Sequence, residues 1–348
     1  MKPSQLSLLL SKTIPARMPV LIEGAPGIGK TDISTDSCTS EGVKEYCKKY
    51  YPDQTETGAD IMVFLPAISD PTDFKGYPHI GPDGKMNFIP DAYLDRLFTT
   101  TRLTVALFDD IGQATPSTQA ATMQLFQRGQ IGGRQVSPHV CFIGATNGKA
   151  HRANVNGMLE PVKSRFFTII TLEPDLDESV AWFLAHNKRT ELIAFLRYRP
   201  NFLFDFRPTL DLKNSSIPRT LSHASDILDL GLPEAIEYEA LAGAAGEAFA
   251  VEFSGFLRMF RRMVSPDVVM MQPDTAPIPD DISTLYALCT ALSRLVSTNS
   301  VDRFFRYINR LQDEFSVMAV SDAMRMKPEL QNTRSFIDWT TKHQAVMI

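Results

Sequence analysis

Residues 24–31 of the chain read Gly24-Ala25-Pro26-Gly27-Ile28-Gly29-Lys30-Thr31, and this stretch decides the fold. It fits the phosphate-binding pattern G-x-x-x-x-G-K-[ST] at every fixed position. The apolar residues 18–22 before it predict a buried strand, and residues 31–34 after it predict the start of a helix. Glycines in such a loop leave room for backbone N–H groups to surround phosphate oxygens, and the amino end of the helix adds a favourable dipole. The stretch therefore predicts a nucleotide-binding loop.

Two side chains of this loop suit a nucleotide directly. Lys30 is predicted to reach the β- and γ-phosphates, and Thr31 to place its hydroxyl on Mg²⁺. The sequence carries no readable motif for contacts with the base, so it leaves ATP and GTP open. The predicted nucleotide-binding residues are Gly24, Ala25, Pro26, Gly27, Ile28, Gly29, Lys30, Thr31 and Asp32.

Apolar runs recur along the first half of the chain. Longer polar or amphipathic segments separate them, which predicts a parallel α/β sheet with helices on both faces. After Pro174 only helical patterns follow, and residues 233–263 predict one long helix. We therefore expect an α/β nucleotide-binding domain over residues 1–174 and a helical region over residues 175–348. The predicted strands are residues 18–22, 61–65, 103–108, 140–145 and 166–172.

The composition is that of an ordinary globular protein, with 44% hydrophobic and 22% charged residues among 348. A formal net charge of −5 gives no overall attraction to nucleic acid, although a local basic patch stays open. No apolar run reaches 18 residues and no signal-peptide pattern is present, so we expect no membrane partner. The four cysteines lack C-x-x-C spacing, which argues against a zinc site or a disulfide framework and favours the cytoplasm.

Two carboxylates end the third predicted strand. Asp109 and Asp110 follow the apolar residues 105–108, about 75 residues after the phosphate loop. An ATPase holds its metal at such a place: Asp109 would bind Mg²⁺ through water, and Asp110 would polarise the attacking water. A strand that ends in an acidic turn is common by itself, but its position after a phosphate loop favours the catalytic interpretation.

Three further polar residues are candidates for the same reaction. Asn147 ends the next strand and is predicted to orient the attacking water and to sense the γ-phosphate, although a strand-end Asn is also typical of turns. Arg165 precedes the last strand, where it could neutralise transition-state charge in a neighbouring subunit or form a surface salt bridge. Arg219 follows Pro218 in the first turn of a predicted helix and could reach the nucleotide from the second domain.

This order of motifs resembles that of the AAA+ ATPases, and more closely their MoxR-like and dynein-related branch. The resemblance covers most of residues 1 to about 230 and extends loosely through residues 241–249. It implies a P-loop AAA+ sheet followed by a helical lid, with ATP and Mg²⁺ as cofactors. It also implies that Lys30 and Thr31 are the Walker A pair, Asp109 and Asp110 the Walker B pair, Asn147 sensor 1, Arg165 the arginine finger and Arg219 sensor 2.

Two glycine-containing segments support that branch. Residues 70–78, continuing to Gly84 and Phe88, resemble the hairpin inserted in helix 2 of these proteins, and residues 129–136 resemble the hairpin before sensor 1. One departure concerns Asp110, because the family usually has Glu there. The shorter carboxylate would lie roughly one methylene farther from the water, and small misplacements slow catalysis.

The leading hypothesis is an ATP-driven machine that remodels a protein client. It would form a ring, expected to be a hexamer, and use a separate partner chain with a von Willebrand factor A domain. A nucleic-acid motor is the alternative, but Lys85 and His79 against Asp83, with Arg128 and Arg134, give only modest positive charge. A nucleotide-gated switch with negligible turnover is a third class, supported by Asp110 alone. The sequence leaves the client and the ring size open.

Overall fold

A five-stranded parallel sheet lies at the centre of the first half of the chain. The computed structural model describes residues 1–131, 134–148, 157–209 and 211–343. The sheet consists of β1 (Val20–Gly24), β2 (Asp60–Phe64), β5 (Thr104–Phe108), β8 (Val140–Asn147) and β9 (Thr168–Thr171). Each predicted strand is present, with ends that differ by no more than two residues. Across the sheet the strands lie in the order β2-β5-β8-β1-β9, and every neighbouring pair is parallel.

Helices cover both faces of this sheet because successive strand residues point to opposite sides. On one face, Phe108 and Phe142 each pack edge-on against Phe126. On the other face, the thiol of Cys141 lies beside the carbonyl oxygen of Thr13. The helices of this half are α1 (Pro3–Ala16), α2 (Lys30–Cys38), α3 (Glu41–Tyr50), α4 (Pro71–Lys75), α5 (Ala92–Thr99), α6 (Pro116–Arg128) and α7 (Glu160–Lys163).

Two antiparallel hairpins lie outside the main sheet, and both were predicted. The first pairs β3 (Tyr77–Ile80) with β4 (Met86–Ile89), and all eight of its strand residues are exposed. The second pairs β6 (Gln130–Ile131) with β7 (Arg134–Gln135). The intervening Gly132 and Gly133 lie outside the described residues.

The second half of the chain is helical, and the chain divides into two compact units, Met1–Pro174 and Asp175–Ile348. A parallel α/β fold followed by a helical region is thus confirmed as the fold class. The second unit has one core around Phe195 and Phe253 and another around Phe304 and Tyr307. Its helices are α8 (Leu176–Ala185), α9 (Thr190–Tyr198), α10 (Pro218–Asp229), α11 (Glu234–Ala245), α12 (Glu247–Phe260), α13 (Pro266–Met271), α14 (Ile282–Leu295), α15 (Val301–Ile308), α16 (Asp313–Met326) and α17 (Arg334–Lys342).

The single long helix predicted over residues 233–263 is wrong. Gly246 separates α11 from α12 with a φ of 94°, a conformation that side chains with a Cβ rarely adopt. A Cβ at this position would also lie 2.9 Å from the carbonyl oxygen of Asn214. The apolar pattern continues through the glycine because both helices face the same core.

A buried ion pair connects the two cores of the helical unit. Arg197 of α9 donates Nη2–H to Oδ1 of Asp322 in α16 at 2.6 Å, and Nη1–H to Oγ1 of Thr290 in α14 at 3.1 Å. Asp322 is only 1% exposed. Because a buried charge is costly without its partner, this contact fixes the relative positions of the three helices.

No helix within the described ranges is both long enough and apolar enough to cross a membrane.

Candidate functional site

The predicted site residues meet at the carboxyl edge of the parallel sheet. Strand β8 lies between β1 and β5, and Gly24 at the end of β1 pairs with Asn147 at the end of β8. Phe108, the last residue of β5, pairs with Gly144, so that Asp109 and Asp110 follow at the same edge. Open α/β sheets bind ligands at this edge.

Glycines shape the loop that connects β1 to α2. Gly27 and Gly29 have φ values of 70° and 92°, in the left-handed region that favours glycine. At Gly24 a Cβ would lie 2.7 Å from Cδ1 of Ile28 and 3.0 Å from the carbonyl oxygen of Leu172. The loop therefore turns tightly into α2, which begins at Lys30, and the amino end of that helix suits an anion.

Lys30 carries a buried ammonium group at the centre of the loop. The residue is 6% exposed, and Nζ donates to the carbonyl oxygens of Gly24 and Ala25 at 3.1 and 2.8 Å. It also donates to Oδ1 of Asn147 at 2.8 Å. A compact ammonium held inside this loop is suited to a phosphate group.

A hydroxyl and a carboxylate face each other beside the lysine. Thr31 donates Oγ1–H to Oδ2 of Asp109 at 2.7 Å, which joins the start of α2 to the end of β5. Both oxygens are of the kind that Mg²⁺ prefers, so the donor set fits this ion. Within the described ranges, no group of three or more His, Cys, Asp or Glu side chains could hold a metal. Mg²⁺ needs no such group, because phosphate oxygens and water usually complete its shell.

Asp110 has a constrained backbone and a carboxylate held from two sides. Its φ is 53°, which is uncommon for a residue with a Cβ, and such strain clusters at functional sites. Its N–H donates to Oδ1 of Asp109 at 3.0 Å. Oδ1 of Asp110 accepts hydrogen bonds from Nδ2 of Asn147 at 3.0 Å and from Nε2 of Gln113 at 2.9 Å.

Asn147 connects the phosphate loop to the acidic pair. Its oxygen accepts from Lys30 and its nitrogen donates to Asp110. An ammonium can only donate and a carboxylate can only accept, so only one orientation of the amide satisfies both groups. Asn147 is 7% exposed.

Sequence reasoning missed two residues of this site. Gln113 binds the carboxylate of Asp110 from the same turn, and its only signal was a polar side chain three residues after the acidic pair. Gly112 allows the turn to lie against β8, because a Cβ there would lie 2.1 Å from Oγ1 of Thr146.

Arg165 lies away from this cluster. Strand β9 pairs with β1 so that Thr168 is opposite Val20, and N–H of Phe167 donates to the carbonyl oxygen of Pro19. Arg165 therefore lies at the amino edge of the sheet. The phosphate loop begins at the other end of β1, whose five residues span about 16 Å at ~3.3 Å per residue. It is half-buried and donates Nη1–H to Oγ of Ser164.

Two other predicted residues are exposed at helix starts. Asp32 lies in the first turn of α2, where a carboxylate is favourable to the helix dipole. Arg219 is the second residue of α10, which begins at Pro218 as predicted, and belongs to the helical unit. Their roles toward a nucleotide stay predictions.

A thiol at the end of α2 is chemically inert. Burial, together with the neighbouring carboxylates of Asp36 and Asp60, raises the pKa of Cys38 to about 12. Because the thiolate is the reactive form, this cysteine is not a nucleophile near the site.

No protein-family model matches the sequence, and no curated protein matches it. Similar solved structures include the RuvB Holliday junction branch migration motor of Thermotoga maritima, with 14% identity over 88% of this chain and 86% of that one, at a TM-score of 0.37. NtrX from Brucella abortus in complex with ATP has 11% identity over 99% of this chain and 68% of that one, at a TM-score of 0.41. The function proposed below therefore rests on the geometry of the site.

Replacing Lys30 by Ala should weaken ATP binding about 100-fold, since charge-assisted hydrogen bonds contribute about 1.5–3 kcal/mol each. Titration with a fluorescent ATP analogue measures the affinity, and thermal unfolding reports whether the variant is folded. Lys48→Ala removes the same charge from the exposed face of α3 and should leave the affinity unchanged. A folded Lys30→Ala chain with wild-type affinity would refute the phosphate-binding role.

Proposed function

We propose that this chain is an ATP hydrolase of the AAA+ superfamily, in its MoxR-like and dynein-related branch, which remodels a protein client. The observation that carries the proposal is the continuous contact network at the carboxyl edge of the sheet. Lys30, Asn147 and Asp110 form one line of hydrogen bonds, and Thr31 with Asp109 forms a second beside it. Phosphate-binding, metal-binding and water-activating groups thus lie together.

Each group has a distinct role in hydrolysis. Lys30 and the loop hold the β- and γ-phosphates of ATP. Thr31 and Asp109 would hold Mg²⁺, which would supply positive charge that offsets the charge of the phosphates. Asp110 orients the attacking water and accepts its proton. The water oxygen bonds to the γ-phosphorus as the bond to the β–γ bridging oxygen breaks, and ADP leaves with that electron pair.

Asn147 is suited to sense the γ-phosphate. Its oxygen shares the ammonium of Lys30 with any phosphate bound there, while its nitrogen holds Asp110. A change at the lysine therefore alters the hydrogen bond that orients the catalytic carboxylate. Arg219 in the helical unit is proposed to act as a second sensor.

The position of Arg165 supports a ring. Since it lies at the amino edge of the sheet, a strand's length from its own phosphate loop, it is suited to the nucleotide of a neighbouring subunit. A ring of subunits, proposed to be a hexamer, would bring the amino edge of one sheet to the carboxyl edge of the next. Such an arginine neutralises charge that develops in the transition state.

The first hairpin favours a protein client over a nucleic acid. Its register places Pro78, Ile80, Met86 and Phe88 on one face, and all four are exposed. Contiguous exposed apolar side chains mark surfaces that bind proteins. A von Willebrand factor A-type partner on a separate chain is part of this proposal, as is a cytoplasmic location.

The second hairpin offers little charge to a phosphate backbone. Nη1 of Arg134 lies 2.7 Å from a carboxylate oxygen of Asp95, and its guanidinium lies 4.4 Å from the centre of the Phe98 ring. Its charge is thus already paired. Proteins that track nucleic acid use a continuous cationic groove, so this contact counts against the alternative.

Replacing Asp110 by Asn should leave ATP binding intact and lower kcat by about 10²- to 10⁴-fold, because the amide cannot accept the proton. Phosphate release measures kcat, and the fluorescent analogue measures affinity. Asp110→Glu should keep or raise kcat if the shorter side chain limits the rate. Hydrolysis at the wild-type rate by Asp110→Asn would refute the role of Asp110.

Replacing Arg165 by Ala should leave ATP binding intact and lower kcat about 10³-fold or more. Mixing this chain with Asp110→Asn should restore part of the activity, since about one interface in four then pairs a sound site with a sound arginine. Lys163→Ala, two residues away, should retain full activity. Failure of the mixture to hydrolyse ATP, with mixed rings shown by native mass measurement, would refute the trans role.

A further inference from the structure

Helix α6 contains a buried amide whose bonds link two distant segments. Gln119 is 0% exposed. Its Nε2 donates to the carbonyl oxygens of Ala114 at 3.1 Å and Gly157 at 2.9 Å, and its Oε1 accepts the N–H of Leu159 at 3.0 Å. A carboxamide has two donor hydrogens and one acceptor oxygen, and here both kinds of atom bind main-chain groups.

The first segment is the turn that carries the catalytic carboxylate. The carbonyl oxygen of Asp110 accepts from N–H of Gln113, and that of Ile111 accepts from N–H of Ala114. Ala114 thus ends a hydrogen-bonded turn that begins at Asp110. Gln119 binds the last residue of this turn.

The second segment presents Arg165. The carbonyl oxygen of Leu159 accepts from N–H of Val162 and of Lys163, and the carbonyl oxygen of Val162 accepts from N–H of Arg165. Helix α7 has only four residues, too few to be stable alone. Its position therefore depends on the amide of Gln119 at its start and on the packing of Val162, which is 0% exposed.

We propose that Gln119 is a positioning residue that holds residues 157–165, and Arg165 with them, in a fixed place relative to the turn of Asp110. The inference rests on the proposed function, because it gives Arg165 its role. Arg165 of one subunit is proposed to complete the site of its neighbour. Through Gln119, the position of this arginine depends on the Asp110 turn of the same subunit. Gln119 itself binds main-chain groups of the two segments and acts on the reaction through them.

The test compares Gln119→Met with Thr122→Val in the full chain. Met has a similar length without hydrogen-bonding groups, and Thr122 is a buried residue of the same helix whose hydroxyl bonds to the backbone of Gln119. Gln119→Met should keep ATP affinity and KM within about twofold and lower kcat about tenfold or more. Amide hydrogen exchange within residues 157–165 should accelerate about tenfold. Thr122→Val should change neither kcat nor the exchange rate of residues 157–165.

Mixtures of two variant chains distinguish an effect on Arg165 from an effect on the turn of Asp110. Gln119→Met mixed with Asp110→Asn should regain activity, whereas Gln119→Met mixed with Arg165→Ala should not, because neither chain then supplies a well-placed arginine. The opposite pattern would assign Gln119 to its own active site and overturn the proposal, as would unchanged exchange in residues 157–165. If Gln119→Met does not fold, Gln119→Glu, which keeps the acceptor for Leu159, undergoes the same measurements. If the wild-type chain hydrolyses no ATP, the proposed function fails, and the exchange measurement still decides whether Gln119 positions the segment.

Discussion

The hydrogen bonds of Asn147 are the contact on which the rest of the site depends. One amide lies between a buried ammonium that only donates and a carboxylate that only accepts, so its orientation is set by Lys30 and Asp110 together. The amide reaches both because Asn147 pairs with Gly24 in the register of β8 and β1. A shift of one residue in this strand register would turn the Asn147 side chain to the other face of the sheet.

The candidate site residues lie at two opposite edges of the sheet. The carboxyl edge holds Lys30, Asp109 and Asp110, whereas Arg165 lies at the amino edge. A rigid parallel sheet keeps these groups apart within one chain. Under the proposed function, each chain then carries one part of a hydrolytic site at each edge. The proposed assembly would bring the two parts together.

Much of the fold could be predicted because local patterns determine it. Apolar runs marked the five strands, and the glycines of residues 24–31 marked the tight loop between β1 and α2. The break at Gly246 was missed because the apolar pattern of α11 continues into α12, and only the backbone conformation shows the interruption. Gln119 was missed for another reason: its partners are main-chain groups up to 40 residues away, which leave no trace in residue type.

The central claim is that one chain holds an incomplete site which a neighbouring copy completes. The most direct measurement is the ATP hydrolysis rate per chain over a protein dilution series, with the assembled fraction at each concentration measured by mass photometry. We expect the rate per chain to rise in proportion to the assembled fraction and to approach zero for the single chain, while each single chain still binds ATP. A rate per chain that stays constant as the assembly dissociates would contradict the claim.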